Sequence, residues 1–144
     1  MDTRFSIAIH LLVLISESDE LLSSAQMAGS VGTNASFVRK VLGSLKKAGL
    51  IDSHRGRSGF ALKRPAGDIS LLQIYQAVYG IDDVVLFGMH KNPNDKCLVG
   101  RYIQPTLEGA FEKIQKETEK TMSKTTLAEC IESMREQAKT DGAL

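Results

Sequence analysis

Residues 34–64, NASFVRKVLGSLKKAGLIDSHRGRSGFALKR, constrain this chain more than any other stretch. They carry eight basic residues, Arg39, Lys40, Lys46, Lys47, Arg55, Arg57, Lys63 and Arg64, against the single acid Asp52. Thirty-one residues therefore hold +7 while the whole 144-residue chain is only +1. Positive charge this concentrated is usually presented to a polyanion. The order of parts narrows the fold. Asn34 is a helix cap, Phe37, Val38, Val41, Leu42 and Leu45 recur as one helical face, and Gly49 stops the helix. Two short apolar runs, residues 50–54 and 60–63, then flank Arg55-Gly56-Arg57-Ser58-Gly59, which predicts a hairpin. A basic amphipathic helix followed by a basic hairpin suits a helix in the DNA major groove with a wing beside it.

The surrounding elements complete that module. Residues 3–16 are apolar around most of a helical circumference, as in a central helix covered on several sides. Ser23 and Ser24 cap a short helix over residues 25–30, ending near Gly29 and Gly32. Three short helices and a hairpin make a winged helix-turn-helix. A further helix starts at Asp68 or Ser70 and ends at Gly80. Residues 84–87 read as a brief strand or extended segment, and residues 90–100 (HKNPNDKCLVG) as a loop. Leu107, Ala110, Phe111, Ile114, Thr118, Thr121 and Met122 then recur at three- and four-residue steps, a long helix seeking a partner helix. A last short helix covers residues 127–137. The expected fold is mainly α: a winged helix-turn-helix DNA-binding domain with a long C-terminal dimerisation helix. The expected division is 1–80 for the DNA-binding domain, 81–104 for a sensing or linker loop, and 105–144 for a helical dimerisation region. Residues after 64 carry nine bases and twelve acids, so the two parts of the chain differ in sign.

Composition removes other classes. Two cysteines, Cys97 and Cys130, are too few for a secreted disulfide framework and point to a reducing cytoplasm. The apolar run at residues 7–15 is too short to span a bilayer and has no cleavage site after it, so no membrane partner is expected. No glycine-rich phosphate loop, GxSxG elbow or HExxH helix is present, and no enzyme activity is expected.

The third helix places Asn34, Ser36, Phe37, Arg39 and Lys40 nearest the bases of double-stranded DNA. Phe37 is open to either a DNA contact or a core position. In the wing, Arg55 and Arg57 suit the minor groove or flanking phosphates, with Gly56 allowing close backbone approach. Thr3 and Arg4, at a helix start, are candidate phosphate anchors. Cys97 stands near Lys96, Lys91 and His90 and is a candidate sensing thiol. His90 and Cys97 are two donors, which do not make a metal site, and Cys130 suits packing within a helix.

The frame NASFVRKVLGSLKKAGLIDSHRGRSGFAL, then DISLLQIYQAV, NPNDKCLVG and TLAE, resembles the Rrf-two family of bacterial winged-helix regulators over nearly the whole chain. The resemblance implies a homodimer formed by the long helix near residues 105–122, binding operator DNA through two winged modules, most simply as a repressor. It puts Ser36, Arg39, Arg55 and Gly56 at DNA-reading positions. Cluster-bearing members carry three cysteines in the loop after the fourth helix. Here Cys97 matches only the last of them, and one thiolate does not hold an iron–sulfur cluster. The chain thus resembles the branch without the three-cysteine motif, and no cofactor is expected. The alternative to DNA binding is a winged-helix protein–protein interaction module.

Overall fold

Polar caps set where most of the helices begin. The computed structural model describes residues 1–54 and 59–144. It contains α1 (Arg4–Glu17), α2 (Ser24–Val31), α3 (Ala35–Lys47), β1 (Ile51–Ser53), β2 (Phe60–Leu62), α4 (Leu71–Tyr79), α5 (Leu98–Lys124) and α6 (Leu127–Thr140), with a short 3-10 turn at Ala66–Asp68. Reciprocal capping boxes start α2 (Ser23 with Gln26), α4 (Ser70 with Gln73) and α6 (Thr126 with Glu129). Asn34 caps α3, its Oδ1 accepting the Phe37 N–H at 2.8 Å. Asp68 falls in the 3-10 turn, so Ser70 is the cap of α4.

α3 ends as its Gly49 implies. Gly49 adopts φ +77°, its N–H donates to the Lys46 carbonyl, and the Leu50 N–H donates to Leu45. This pair of bonds satisfies the last carbonyls of the helix and turns the chain directly into β1. β1 and β2 pair antiparallel, Ile51 opposite Leu62 and Ser53 opposite Phe60.

α1 is the centre of the core. Ala8, Leu11 and Leu12 are fully buried, and Phe5, Ile7, Ile9, Val13 and Ile15 pack half-buried around them. Against α1 lie Met27 and Ala28 of α2, Val38, Val41, Leu42 and Leu45 of α3, Ile74 and Val78 of α4, and Leu127 and Ile131 of α6. Each Val, Leu, Ile or Met among them contributes roughly 1.5–3 kcal/mol by leaving water.

Of residues 105–144, expected as one dimerisation region, α5 and α6 behave differently. α6 packs onto the winged module. The Leu127 N–H donates to Ile69 and the Leu71 N–H to Thr125, both at 2.9 Å, a small antiparallel bridge between the starts of α4 and α6. Arg135 reaches Glu17 of α1 through two bonds of 2.7 and 2.9 Å. α5, by contrast, has 27 residues and buries none of them.

α5 also begins earlier than residue 105, inside the stretch read as loop. Pro105 lies within the helix, where it forfeits one backbone hydrogen bond without ending it. The loop before it folds onto the first turn: the Cys97 N–H donates to the Asn94 carbonyl and the Lys96 N–H to Asn94 Oδ1. A Cβ at Gly100 would overlap the Asn94 carbonyl oxygen, so glycine is what lets the loop lie this close.

Residues 84–87 form no strand. They are an extended strap held by side chains. Glu119 accepts the Val84 N–H at 2.8 Å and Gln115 accepts the Leu86 N–H at 2.9 Å, while from α4 the Tyr75 hydroxyl both donates to the Val85 carbonyl and accepts its N–H at 3.2 Å. No described helix is long and apolar enough to cross a membrane.

Candidate nucleic-acid interface

Burial of Val38, Val41, Leu42 and Leu45 turns one face of α3 into the core and leaves the other outside. Ser36, Arg39, Lys40, Lys46 and Lys47 are all exposed on that outer side. Gly32, at φ +81°, makes the tight turn that separates α2 from the Asn34 cap of α3. With its Oδ1 engaged by the Phe37 N–H, Asn34 keeps its side-chain amide N–H groups for an outside partner.

Phe37, left open by its sequence position, is half-buried and packs against the core cluster. Its ring anchors the first turn of α3. Lys46 also has an internal role. Its Nζ donates to Ser53 Oγ at 2.8 Å, tying the end of α3 to β1. Ser53 was not foreseen as a functional position. The signal for it is slight: a polar residue two positions after buried Ile51, on the same strand face, close in the chain to a helix-terminal lysine.

The base of the hairpin is closed by the His54 N–H donating to the Gly59 carbonyl at 3.2 Å. Gly59 has φ +114°, and a Cβ there would come within 2.8 Å of Leu21 Cβ. Arg55, Gly56 and Arg57, the expected wing contacts, lie outside the described residues. Lys63 is exposed just past β2, and the half-buried Arg64 has its Nε enclosed without a hydrogen-bond partner among the described residues.

Arg4 and Thr3 differ from each other. Arg4 is engaged: its guanidinium meets Asp2 Oδ2 at 2.6 Å and sits 4.9 Å from the Tyr79 ring centroid. Its side chain would have to leave Asp2 to serve a phosphate. Thr3 precedes α1, is exposed, and makes no side-chain cap bond. The Arg4 side chain, and then its backbone N–H, hold the Asp2 carboxyl well below its ordinary value of 3.8, at about 2. Burial raises the Tyr79 phenol, and the Asp2 charge adds to that.

Cys97 is exposed at the N-cap position of α5 and makes no side-chain cap bond. Cys130 is half-buried on α6, where burial and the neighbouring Glu129 raise its thiol. Among the described residues, no three His, Cys, Asp or Glu side chains come together in a way that could hold a metal ion.

Residues 1–133 match the family described as Rrf2, iron-dependent transcriptional regulator. The chain is similar to YwnA of Bacillus subtilis, provisionally named an HTH-type transcriptional regulator, at 41% identity over 91% of this chain and 96% of YwnA. It superimposes on a crystal structure of a protein provisionally described as DNA-binding with TM-score 0.73 and 39% identity, covering 89% of this chain and 98% of that one. The fold alone is shared with CymR, the global cysteine regulator of B. subtilis, at TM-score 0.67 and 16% identity over 92% and 95% of the two chains.

The Asp2–Arg4 pair has a defined pH signature. Because the folded-state carboxyl titrates below its unfolded value, its contribution to folding is present above about pH 4 and is lost as pH falls toward 2. A carboxyl-carbon NMR titration should place the Asp2 midpoint near 2, and Arg4→Ala should return it toward 3.8. An unchanged midpoint in the variant would mean that Arg4 is not held by Asp2 in solution.

Proposed function

The chain belongs to the Rrf2 family of DNA-binding transcriptional regulators, and from that premise we propose that it acts as a homodimeric repressor reading operator DNA through α3 and the wing. The observation that carries this reading is the exposed row of Ser36, Arg39, Lys40 and Lys47 opposite the buried face of α3. Asn34, Ser36 and Arg39 address base edges, while Lys40, Thr3 and the wing residues Arg55, Gly56 and Arg57 address the sugar–phosphate backbone or minor groove. Arg4 joins them by exchanging Asp2 for a phosphate. Lys46 holds the wing to α3 instead of contacting DNA. Repression by occlusion requires only DNA binding, the one activity that this charge distribution supplies.

Fluorescence-anisotropy titrations over a salt series test this assignment. Arg39→Ala should weaken operator binding by about tenfold or more and relax the preference at one base pair. Lys40→Ala or Arg55→Glu should weaken binding to every duplex and reduce the slope of log K against log salt by roughly one per charge removed. Unchanged affinity and slope in all three would remove this face from the interface.

The dimer forms through α5. A 27-residue helix without a buried residue leaves Ile114 exposed and Leu107, Phe111 and Met122 half-exposed along one side. A second copy covers that stripe and sets two α3 helices at a fixed spacing for a two-fold operator. By sedimentation, Ile114→Glu should convert a dimer to a monomer with its helical content retained. A parent protein that sediments as a monomer contradicts the arrangement.

The regulator works without a resident iron–sulfur cluster and senses redox change through Cys97. Supporting this, the loop offers one thiolate where a cluster takes about four ligands. Cys97 is exposed, as oxidation to a sulfenic acid or mixed disulfide requires. Peroxide should weaken DNA binding by the parent protein and leave Cys97→Ser unaffected. Equal responses of the two proteins would take Cys97 out of the mechanism.

A further inference from the structure

A pocket partly open to solvent lies at the base of the wing, lined by residues other than those proposed to read DNA. About 300 Å³ lies between the end of α1 (Ile15, Ser16), the α1–α2 connection (residues 18–22) and the hairpin (His54 and β2). Small-molecule sites typically run from roughly 300 to 1,000 Å³, so the space suits a ligand of one ring or a short alkyl body.

Its lining specifies the ligand. Ile15, Leu22, Phe60 and Leu62 supply apolar wall. Asp19 and Glu20, both also exposed to solvent, are its acidic residues, and the described lining contains no Lys or Arg. The acidic turn is held in place, Ser18 Oγ accepting the Glu20 N–H and donating to the Glu20 carbonyl at 2.9 Å. The described lining is thus acidic, which disfavours a phosphate or carboxylate ligand there. An apolar body fits the wall, an ammonium fits the carboxylates, and Phe60 adds aromatic surface on which a cation is attracted.

We propose that this cavity is a binding site for a small amphipathic cation, a monoamine bearing one aryl or short alkyl group. Such a ligand touches the wing and the helical body at once. The two are already in close contact at the cavity edge, where Leu21 abuts the Gly59 backbone too tightly for a side chain at that position. Occupancy therefore fixes the hairpin relative to α1. The site does not depend on the DNA-reading assignment, since its walls are separate residues.

Phenethylamine, its neutral counterpart phenethyl alcohol, and phenylacetate serve as probes against the full-length protein. Calorimetry measures affinity, and amide NMR locates the contact. Phenethylamine should bind saturably, with shifts confined to residues 15–22, 54 and 60–62. The alcohol should bind roughly fivefold more weakly and phenylacetate more weakly still, as expected for ion pairs at a partly exposed site. The double variant Asp19→Asn, Glu20→Gln should lose about fivefold in amine affinity, keep its affinity for the alcohol and melt at the parent temperature. Equal binding of amine and phenylacetate, shifts outside these residues, an unaltered amine affinity in the double variant, or no saturable binding would each overturn the proposal. None of these outcomes bears on operator binding, which is read separately.

Discussion

The direction in which the basic face of the winged module points depends on how α3 is pinned. Val38, Val41, Leu42 and Leu45 lie under the helix, and each is at most 3% exposed. Removing any one of them would cost about 1–5 kcal/mol, much of the margin by which a domain of this size is folded. Because the seam is aliphatic and without polar partners, it fixes rotation through shape alone. The basic residues need no partner inside the protein to hold their direction; they are outward because their neighbours are inward. Two further devices refine the aim. The Phe37 ring seats the first turn, and the Lys46–Ser53 bond couples the last turn to β1. The end of α3 and β1 are thereby tied together.

The second half of the molecule answers a different constraint. A helix as long as α5 gains little stability from propensity alone in water and must bury a face somewhere. Its own chain gives it part of α4 and the strap, whose backbone groups are bound by the Gln115 and Glu119 side chains rather than by a strand. Phe87 reaches Phe111 with ring centroids 4.8 Å apart, yet Val85, Leu86 and Phe87 all remain at least 40% exposed. Exposed apolar surface of this extent is unusual on a monomer. On the opposite side, Tyr75 of α4 holds the strap at Val85 and meets Phe5 of α1 edge to face, ring centroids 5.5 Å apart. The strap thus bridges the reading head and the helix that would pair two heads.

Features that are local in the chain were legible in it. The Asn34 cap, the Gly49 stop, the 3.6-residue stripe of α3 and the hairpin each follow from a few adjacent residues, and the structure contains all of them. Features that arise from distant pairings were not. Nothing near Thr126 announces that α6 returns to the start of α4, because the bridge to Ile69 and Leu71 is made by backbone groups. Arg4 illustrates the same limit at the site. A cation at a helix start reads as a phosphate anchor until Asp2 and the Tyr79 ring are found around it. The early start of α5 was masked by composition, since Asn, Pro, Asp and Gly crowd the residues just before and within its first turns.

That crowding has a geometric explanation that also bears on what the loop is for. Asn92 takes φ +57°, Asn94 binds two following N–H groups, and Gly100 makes room for the Asn94 carbonyl. Arg101 closes the arrangement by donating to the Asp95 carbonyl at 3.0 Å. The asparagines and the glycine are thus accounted for by backbone fitting. Here the loop is ordered by its own hydrogen bonds, and the residue those bonds leave over is Cys97, whose backbone N–H is engaged while its thiol faces solvent. The turn presents one accessible sulfur at the N-cap of α5, so any chemistry there lies beside the helix whose exposed face is proposed to pair two copies.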